Sequence, residues 1–213
     1  TKNIKIMLNL PRNVWILAIC LALFMSLSVF IVFVGGILGN ELASSKSLST
    51  LPVAAIVVGT AVSIFPVIRL MSVFGRKAVF LMICIYSIAL FGLSVFSIIT
   101  GSFLLFCLSS FLLGATVATM NQFRFAAIES VSEEQRATAT AIVLLGGLVS
   151  AYLGPEVATI GKEIFAINFV GSYMLLGLLF LIAFILLCFF QPAKKFVEES
   201  DQSKRSLIEI MKQ

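Results

Sequence analysis

Residues 51–99 read LPVAAIVVGTAVSIFPVIRLMSVFGRKAVFLMICIYSIALFGLSVFSII, two apolar segments joined by the basic turn Gly75-Arg76-Lys77. Each segment has the roughly 20 apolar residues that a helix needs to cross the hydrocarbon layer of a membrane. The turn is so short that the two helices must run in opposite directions. This stretch therefore predicts a helical hairpin inside a membrane.

The same pattern continues on both sides of this hairpin. Hydrophobic residues make up 60% of the 213-residue chain and charged residues 12%, whereas soluble domains have about 45–50% and about 25%. Six segments are long enough to span a bilayer: 14–38, 51–70, 78–99, 103–126, 137–160 and 167–190. We expect an all-α, polytopic membrane domain over residues 1–191. Its six helices would form a 3+3 inverted repeat, which is common in secondary transporters.

Basic residues predict the orientation of these spans. Of the 15 Lys and Arg residues, Arg124 lies inside a span, Lys46 and Lys162 lie on one side, and the remaining twelve lie at or near the side of the termini. Cytoplasmic loops of membrane proteins carry the excess of Lys and Arg. We therefore expect both termini in the cytoplasm and the protein in a bacterial inner (plasma) membrane. Because topology accounts for the net charge of +5, no nucleic acid partner is expected.

Several chemistries are excluded by residue usage. The chain has no histidine, and its four cysteines all lie in apolar segments without a close pair. This pattern indicates neither a disulfide framework nor a zinc motif. No Gly-rich phosphate loop is present either. We expect no enzymatic activity, no cofactor and no metal.

The basic turn belongs to a longer motif. Residues 68–77, IRLMSVFGRK, resemble the cytoplasmic motif G-x-L-x-D-R-x-G-R-K that many major facilitator superfamily transporters carry between their second and third spans. Four residues match it: Leu70, Gly75, Arg76 and Lys77. Three positions differ, so the acidic residue of the motif is missing: Ile68, Ser72 and Val73.

Two further segments resemble the same superfamily. Residues 131–137, VSEEQRA, are similar to its acidic-then-Arg connector after span four and place Arg136 in that pattern. Residues 150–155, SAYLGP, resemble the G-x-x-x-G-P signature of its proton-coupled exporters, with Ser150 in place of the first glycine. Those exporters often have an Arg earlier in span four, and here Ser110 occupies that position.

The resemblance implies one six-helix half of a twelve-helix transporter. Such a protein moves a small solute by alternating access, here with coupling to protons, and import and export both stay open. Its partners would be the solute, the lipid bilayer and a second six-helix half, which is either a downstream segment or another copy. Residues 192–213 would be an amphipathic cytoplasmic linker, or else an ordinary solvated tail. The alternative class is a six-helix membrane scaffold or subunit that transports nothing.

Polar residues inside the spans are the candidates for transport, because a polar group left unpaired in hydrocarbon is costly. Glu156 follows the Gly154-Pro155 pair in span five. It would bind and release the coupling proton, or it would be an interfacial carboxylate in contact with water.

Arg124 follows Asn121 and Gln122 near the inner end of span four. Two roles are open for it as well. It would extend to the interface or pair with Glu129 or Glu134 as part of a gate. Alternatively, it would line a polar wall for the solute together with Asn121 and Gln122.

Prolines and small residues predict where helices bend and where they pack closely. A proline removes a hydrogen bond of the helix, so Pro66 and Gly154-Pro155 are the candidate bends. Small residues such as Gly114, Gly146 and Gly177 would permit close contact between helices.

Overall fold

Six helical segments that are long and apolar enough to span a membrane cross the bundle from end to end, as the sequence predicts. A computed structural model describes residues 10–191, which contain helices and their connections and no strand. The α-helices of these residues are α1 (Arg12–Leu42), α2 (Leu51–Phe74), α3 (Arg76–Ile99), α4 (Phe103–Met120), α5 (Phe123–Glu129), α6 (Arg136–Lys162) and α7 (Val170–Cys188). Short 3₁₀ helices lie at Lys46–Leu48 and Glu133–Gln135. The predicted tail, residues 192–213, lies outside the described residues.

The fourth span differs from the prediction, because it consists of two helices, α4 and α5, rather than one helix over 103–126. The interruption lies at Asn121 and Gln122. The Asn121 side chain donates to the Val117 carbonyl at 3.3 Å, and the Gln122 N–H donates to Thr119, three residues back, at 2.9 Å. Both bonds favour a tightened turn over a continuing α-helix.

Several other helix ends differ from the predicted boundaries by two to four residues, among them the end of α2, which lies at Phe74 and not at residue 70. Helix α1 continues past residue 38 to Leu42, because a helix can extend beyond the hydrocarbon layer whose thickness limits the apolar segment. Helix α7 begins at Val170 and not at residue 167. The preceding Phe169 has a φ of 67°, a left-handed conformation that right-handed helices do not contain.

Contacts between the helices follow a repeated pattern. Helix α1 packs most extensively on α6, α2 on α4, and α3 on α7. If the first three spans are exchanged with the last three, the α1–α6 contact becomes the α4–α2 contact, and the α3–α7 contact is unchanged. Spans one and four cross the bundle in opposite directions. The arrangement is that of two inverted units of three helices.

Glycines permit close helix contacts in both units. A Cβ atom added at Gly59 of α2 would overlap the backbone of Phe111, and one added at Gly114 of α4 would overlap the backbone of Gly59. In the other unit, a Cβ at Gly146 of α6 would press on the Ala18 carbonyl of α1. The predicted packing role of Gly114 and Gly146 is confirmed. At Gly177 it is wrong, because an added Cβ there meets nothing within 4 Å.

Aromatic rings fill the centre of the bundle. The ring centroid of Phe24 lies 4.9 Å from that of Phe123 and 4.6 Å from that of Phe180, and Phe80 lies 4.5 Å from Phe123. All four side chains are fully buried. Ring pairs of this kind contribute about 0.5–1.5 kcal/mol beyond their buried area, so they join α1, α3, α5 and α7 into one core.

Buried hydroxyl groups join α3 to α4. The hydroxyl oxygens of Ser87 and Thr116 lie 2.7 Å apart, and Ser94 donates to Ser109 at 3.0 Å. All four residues are buried. Such hydrogen bonds contribute on average about 0.6 kcal/mol in membranes, so these pairs have a packing role.

Candidate functional site

The candidate site residues fall at two ends of the bundle. The basic end, defined by the start of α1, the turn at Gly75, the segment 121–136 and the end of α7, contains both limits of the described chain. There the Asn13 amide donates to the Gln191 carbonyl at 2.5 Å, and the Gln191 N–H donates to Asn13 Oδ1 at 3.3 Å. The opposite end carries the connectors 43–50, 100–102 and 163–169.

Gly75 forms the turn between α2 and α3 by itself. Its φ is 80° and its ψ is 157°, a region of backbone conformation that is open essentially to glycine alone. Its N–H donates to Met71 at 3.0 Å and its carbonyl accepts from Val79 at 3.3 Å, so it belongs to the hydrogen-bond ladders of both helices. One residue therefore reverses the chain and starts α3 with Arg76.

Arg76 is buried at the basic end and pairs with an acidic residue of the fourth span. Its Nη2 atom lies 2.6 Å from Glu129 Oε1, and the side chains are 9% and 33% exposed. Its Nη1 atom donates to the Gln122 carbonyl at 3.4 Å. Arg76 therefore connects the α2–α3 turn to both ends of α5.

Lys77, the next residue, binds a different helix. Its Nζ atom donates to the Cys188 carbonyl at 2.7 Å. Cys188 ends α7, where carbonyl groups lack partners within the helix and the helix dipole favours a positive charge. The pair Arg76-Lys77 thus fastens the start of α3 to α5 on one side and to α7 on the other.

Within residues 10–191, Arg124 makes neither of the predicted ion pairs. Its guanidinium carbon lies 4.8 Å from the centre of the Phe125 ring, and the side chain is exposed. Glu129 pairs with Arg76 instead, and within residues 10–191 no ion pair joins Arg124 to Glu134. Asn121 is exposed beside it, so both remain accessible at the basic end, and their predicted roles stay open.

Arg136 begins α6 and pairs with Glu133 at 3.2 Å. The side chains are 51% and 84% exposed, and exposed pairs contribute little to stability. The sequence motif around Arg136 therefore starts a helix at the basic end but lies apart from the buried Arg76 pair.

Glu156 lies at the other end of the bundle, on an exposed face of α6. It is half-buried and stands six residues before Lys162, the end of the helix, or about 9 Å along the axis. Tyr152 and Thr159 share this face, since they are four residues before and three residues after it. Tyr152 is 69% exposed. We call Tyr152, Glu156 and Thr159 the polar stripe.

The polar stripe was only partly visible in the sequence. The sequence predicts Glu156 as a site residue, whereas Tyr152 enters only as part of the SAYLGP segment. Two features of the sequence could have indicated Tyr152. It is four residues from Glu156, which places it on the same helix face, and it lies only three residues from residue 149, the middle of α6. A hydroxyl at this depth requires a partner or water.

The prolines predicted as bends both lie inside helices. Pro66 is an exposed residue within α2, and Pro155 is half-buried within α6. Gly154 is buried, and a Cβ added there would press against Val29 of α1. The Gly154-Pro155 pair therefore lies where α6 crosses α1 closely, while its predicted bend remains a prediction.

Metal-binding and redox groups are scarce in the described part of the chain. Residues 10–191 contain no group of three or more His, Cys, Asp or Glu side chains able to hold a metal ion. The four cysteines form no disulfide there; Cys20, Cys84 and Cys107 are buried and Cys188 is exposed. What the two ends offer is hydrogen bonding, charge pairing and the carboxylate of Glu156 within a span.

Comparison with known proteins gives a consistent set of relatives. The sequence model of the Major Facilitator Superfamily matches residues 14–212. The chain is 34% identical to the riboflavin transporter RfnT of Brucella anthropi over 173 residues, which are 79% of this chain and 43% of that protein. It is 32% identical to the uncharacterized MFS-type transporter YddS of Bacillus subtilis over 173 residues, 77% of this chain and 39% of that protein. The chain thus spans about two fifths of the length of these relatives.

Proposed function

The chain belongs to the major facilitator superfamily, and from this membership we propose that it forms one six-helix half of a carrier that moves a small solute by alternating access. A second six-helix half, supplied by a downstream segment or by another copy, completes the transport path. Basic residues orient the carrier with its basic end in the cytoplasm. Since the matched relatives are bacterial, the carrier resides in a bacterial inner membrane.

The polar stripe carries this proposal. Tyr152 and Glu156 lie within a membrane-spanning helix and on a face of α6 that residues 10–191 leave uncovered. A carboxylate or hydroxyl facing lipid would be costly, so such groups normally face protein or a water-filled path. The second half therefore covers this face and encloses the solute path between the two halves.

Glu156 is the proposed site of proton coupling. A carboxylate that is protonated in one state of the carrier and ionised in the other links solute movement to the proton gradient. The residue is half-buried and has no ion-pair partner within the part of the chain that the structure describes. We do not assign Thr159 a role in proton coupling, because its hydroxyl already donates to the Pro155 carbonyl at 3.0 Å.

The contacts of Arg76 and Lys77 form the proposed latch at the basic end. Arg76 Nη2 lies 2.6 Å from Glu129 Oε1 and holds α3 against α5, and Lys77 Nζ lies 2.7 Å from the Cys188 carbonyl oxygen and holds α3 against α7. Opening that end in the alternating cycle requires the half to move as a rigid unit or the latch to loosen. We propose that the half moves as a rigid unit. In this view the latch stays closed and keeps the six helices together while the two halves rock.

Riboflavin is the first solute to test. The relative from Brucella is named as a riboflavin transporter and is 34% identical over the matched region. A flat aromatic solute also suits the exposed ring of Tyr152, because offset stacking of aromatic rings contributes about 0.5–1.5 kcal/mol.

Uptake by the complete protein in proteoliposomes tests the proposal. We expect labelled riboflavin to accumulate when an inward proton gradient is imposed. The Glu156→Gln variant should lose this accumulation but retain exchange of labelled for unlabelled solute, because binding remains while coupling is lost. Glu163→Gln is the matched control, since Glu163 is an exposed carboxylate at the same end of the bundle.

Three outcomes separate the possibilities. Full gradient-driven accumulation in Glu156→Gln would remove this residue from coupling. Flux of other solutes but not of riboflavin would contradict riboflavin as the substrate and support the proposal that the protein is a carrier. No flux of any solute would favour the scaffold class.

A further inference from the structure

A groove on the outer side of α3 and α7 has no role in the transport proposal. Its volume is about 470 Å³, and its lining includes Phe91, Gly92, Val95, Tyr173, Gly177 and Leu181. We propose that this groove binds one hydrocarbon chain of a membrane phospholipid. The proposal is independent of which solute, if any, the protein transports.

Two glycines create the space. Cβ atoms added at Gly92 and Gly177 would each meet nothing within 4 Å. Glycine inside a helix costs about 0.5–1 kcal/mol relative to alanine. Elsewhere in the bundle, as at Gly114, close backbone contact accounts for the glycine. At Gly92 and Gly177 no such contact exists. We infer that these two glycines are present because the absence of their side chains leaves the groove open.

The two glycines lie at the same depth in the bundle. Gly92 stands seven residues before Ile99, the end of α3, and Gly177 stands seven residues after Val170, the start of α7. At 1.5 Å per residue, each is about 10 Å from the end of the bundle opposite the basic end. A hydrocarbon layer of about 30 Å places the groove among the acyl chains of the leaflet at that end.

The surface around the groove matches lipid and not a protein partner. The exposed side chains of α3 near the groove are apolar, as are those of α7, among them Ile85, Phe96, Met174, Leu178 and Ile185. Serines of the same helices, such as Ser87, Ser94 and Ser172, are all buried in the bundle. By contrast, α6 exposes the polar stripe. A face without polar groups offers a partner protein no hydrogen bonds or charges for orientation, whereas an acyl chain needs none.

The interior of the groove is equally suited to hydrocarbon. Tyr173 contributes its ring to the lining, while its hydroxyl is buried on the inner side near Ser94. Rings of Phe91 and Tyr173 contact each other with centroids 6.4 Å apart and form a rigid floor. A flexible chain can fill such a recess and supply the dispersion contacts that the lining atoms of an empty void lack.

Fluorescence quenching by brominated phospholipid tests the proposal on the complete protein. The background is the complete protein with its tryptophans replaced by phenylalanine, which in this chain is the single change Trp15→Phe. Leu178→Trp places the reporter on the groove, and Ile185→Trp places a reporter on the same exposed face outside it. We expect stronger quenching at position 178 than at position 185 in vesicles of phospholipid brominated in the middle of its acyl chains.

Variants that fill the groove provide the decisive comparison. Gly92→Leu with Gly177→Leu should abolish the excess quenching at position 178, and the smaller change Gly92→Ala with Gly177→Ala should reduce it without risk to folding. Gly36→Leu is the matched control, because Gly36 also has open space around it but lies on α1. Unchanged excess quenching in both filled variants would overturn the proposal. So would weaker quenching at position 178 than at position 185, since that result would mean that protein covers the groove.

Discussion

The guanidinium of Arg76 lies 2.6 Å from the carboxylate of Glu129, although 53 residues separate them in the chain. This pair joins the turn between spans two and three to the end of span four. Because the Arg76 side chain is only 9% exposed, its charge depends on Glu129 and on the Gln122 carbonyl. Removing one partner of a buried ion pair destabilises a protein more than replacing both partners by apolar residues, because it leaves an uncompensated buried charge.

The first prediction concerns this pair. In a double-mutant cycle of Arg76→Met and Glu129→Gln, thermal unfolding in detergent should give a coupling energy of about 0.5–3 kcal/mol. The exposed pair Arg136 and Glu133 is the matched control and should couple by less than about 1 kcal/mol. Equal coupling energies for both pairs would contradict the structural role assigned to Arg76.

The turn at Gly75 provides the second prediction. Gly75→Ala should lower the free energy of unfolding by about 1–3 kcal/mol, because a Cβ atom is strained at a φ of 80° and a ψ of 157°. The control Gly36→Ala should be neutral or stabilising by about 0.5–1 kcal/mol, since Gly36 lies in a helix with open space beside it. Denaturant titration followed by circular dichroism measures both values.

The third prediction concerns the contact between α2 and α4. Gly114→Ala should destabilise the protein, because the added methyl group overlaps the backbone of Gly59 and the helices must separate. Overpacking of this kind typically costs about 1–3 kcal/mol. Gly177→Ala, at a position without neighbours within 4 Å, should not destabilise. A similar loss of melting temperature in the two variants would contradict the close contact.

The fourth prediction uses Cys188 to test orientation. Cys188 is exposed at the basic end, whereas Cys20, Cys84 and Cys107 are buried. A membrane-impermeant maleimide should therefore modify Cys188 in inside-out vesicles but not in intact cells, if the basic end faces the cytoplasm. The Cys188→Ser variant should remain unlabelled in both. Labelling of Cys188 in intact cells would reverse the proposed topology.

Much of the fold could be predicted from local sequence. The six spans follow from apolar length, and the turn at Gly75 follows from a glycine and two cations between apolar segments. The interruption at Asn121 and Gln122 could not, because it results from hydrogen bonds of single side chains inside an otherwise helical span. For the candidate site, the sequence indicated Glu156, but the neighbouring Tyr152 required its exposure in the structure.

The sequence by itself determined the number of spans and their class, because hydrocarbon requires every segment that crosses it to be apolar and hydrogen-bonded within itself. That requirement acts on each segment separately. Only the tertiary structure decided that Glu129 pairs with Arg76 and not with Arg124, that Lys77 binds the end of α7, and that Gly92 and Gly177 face a common groove. These relationships depend on which helices are neighbours, and helix packing in a membrane is chosen by the shape and polarity of many surfaces together.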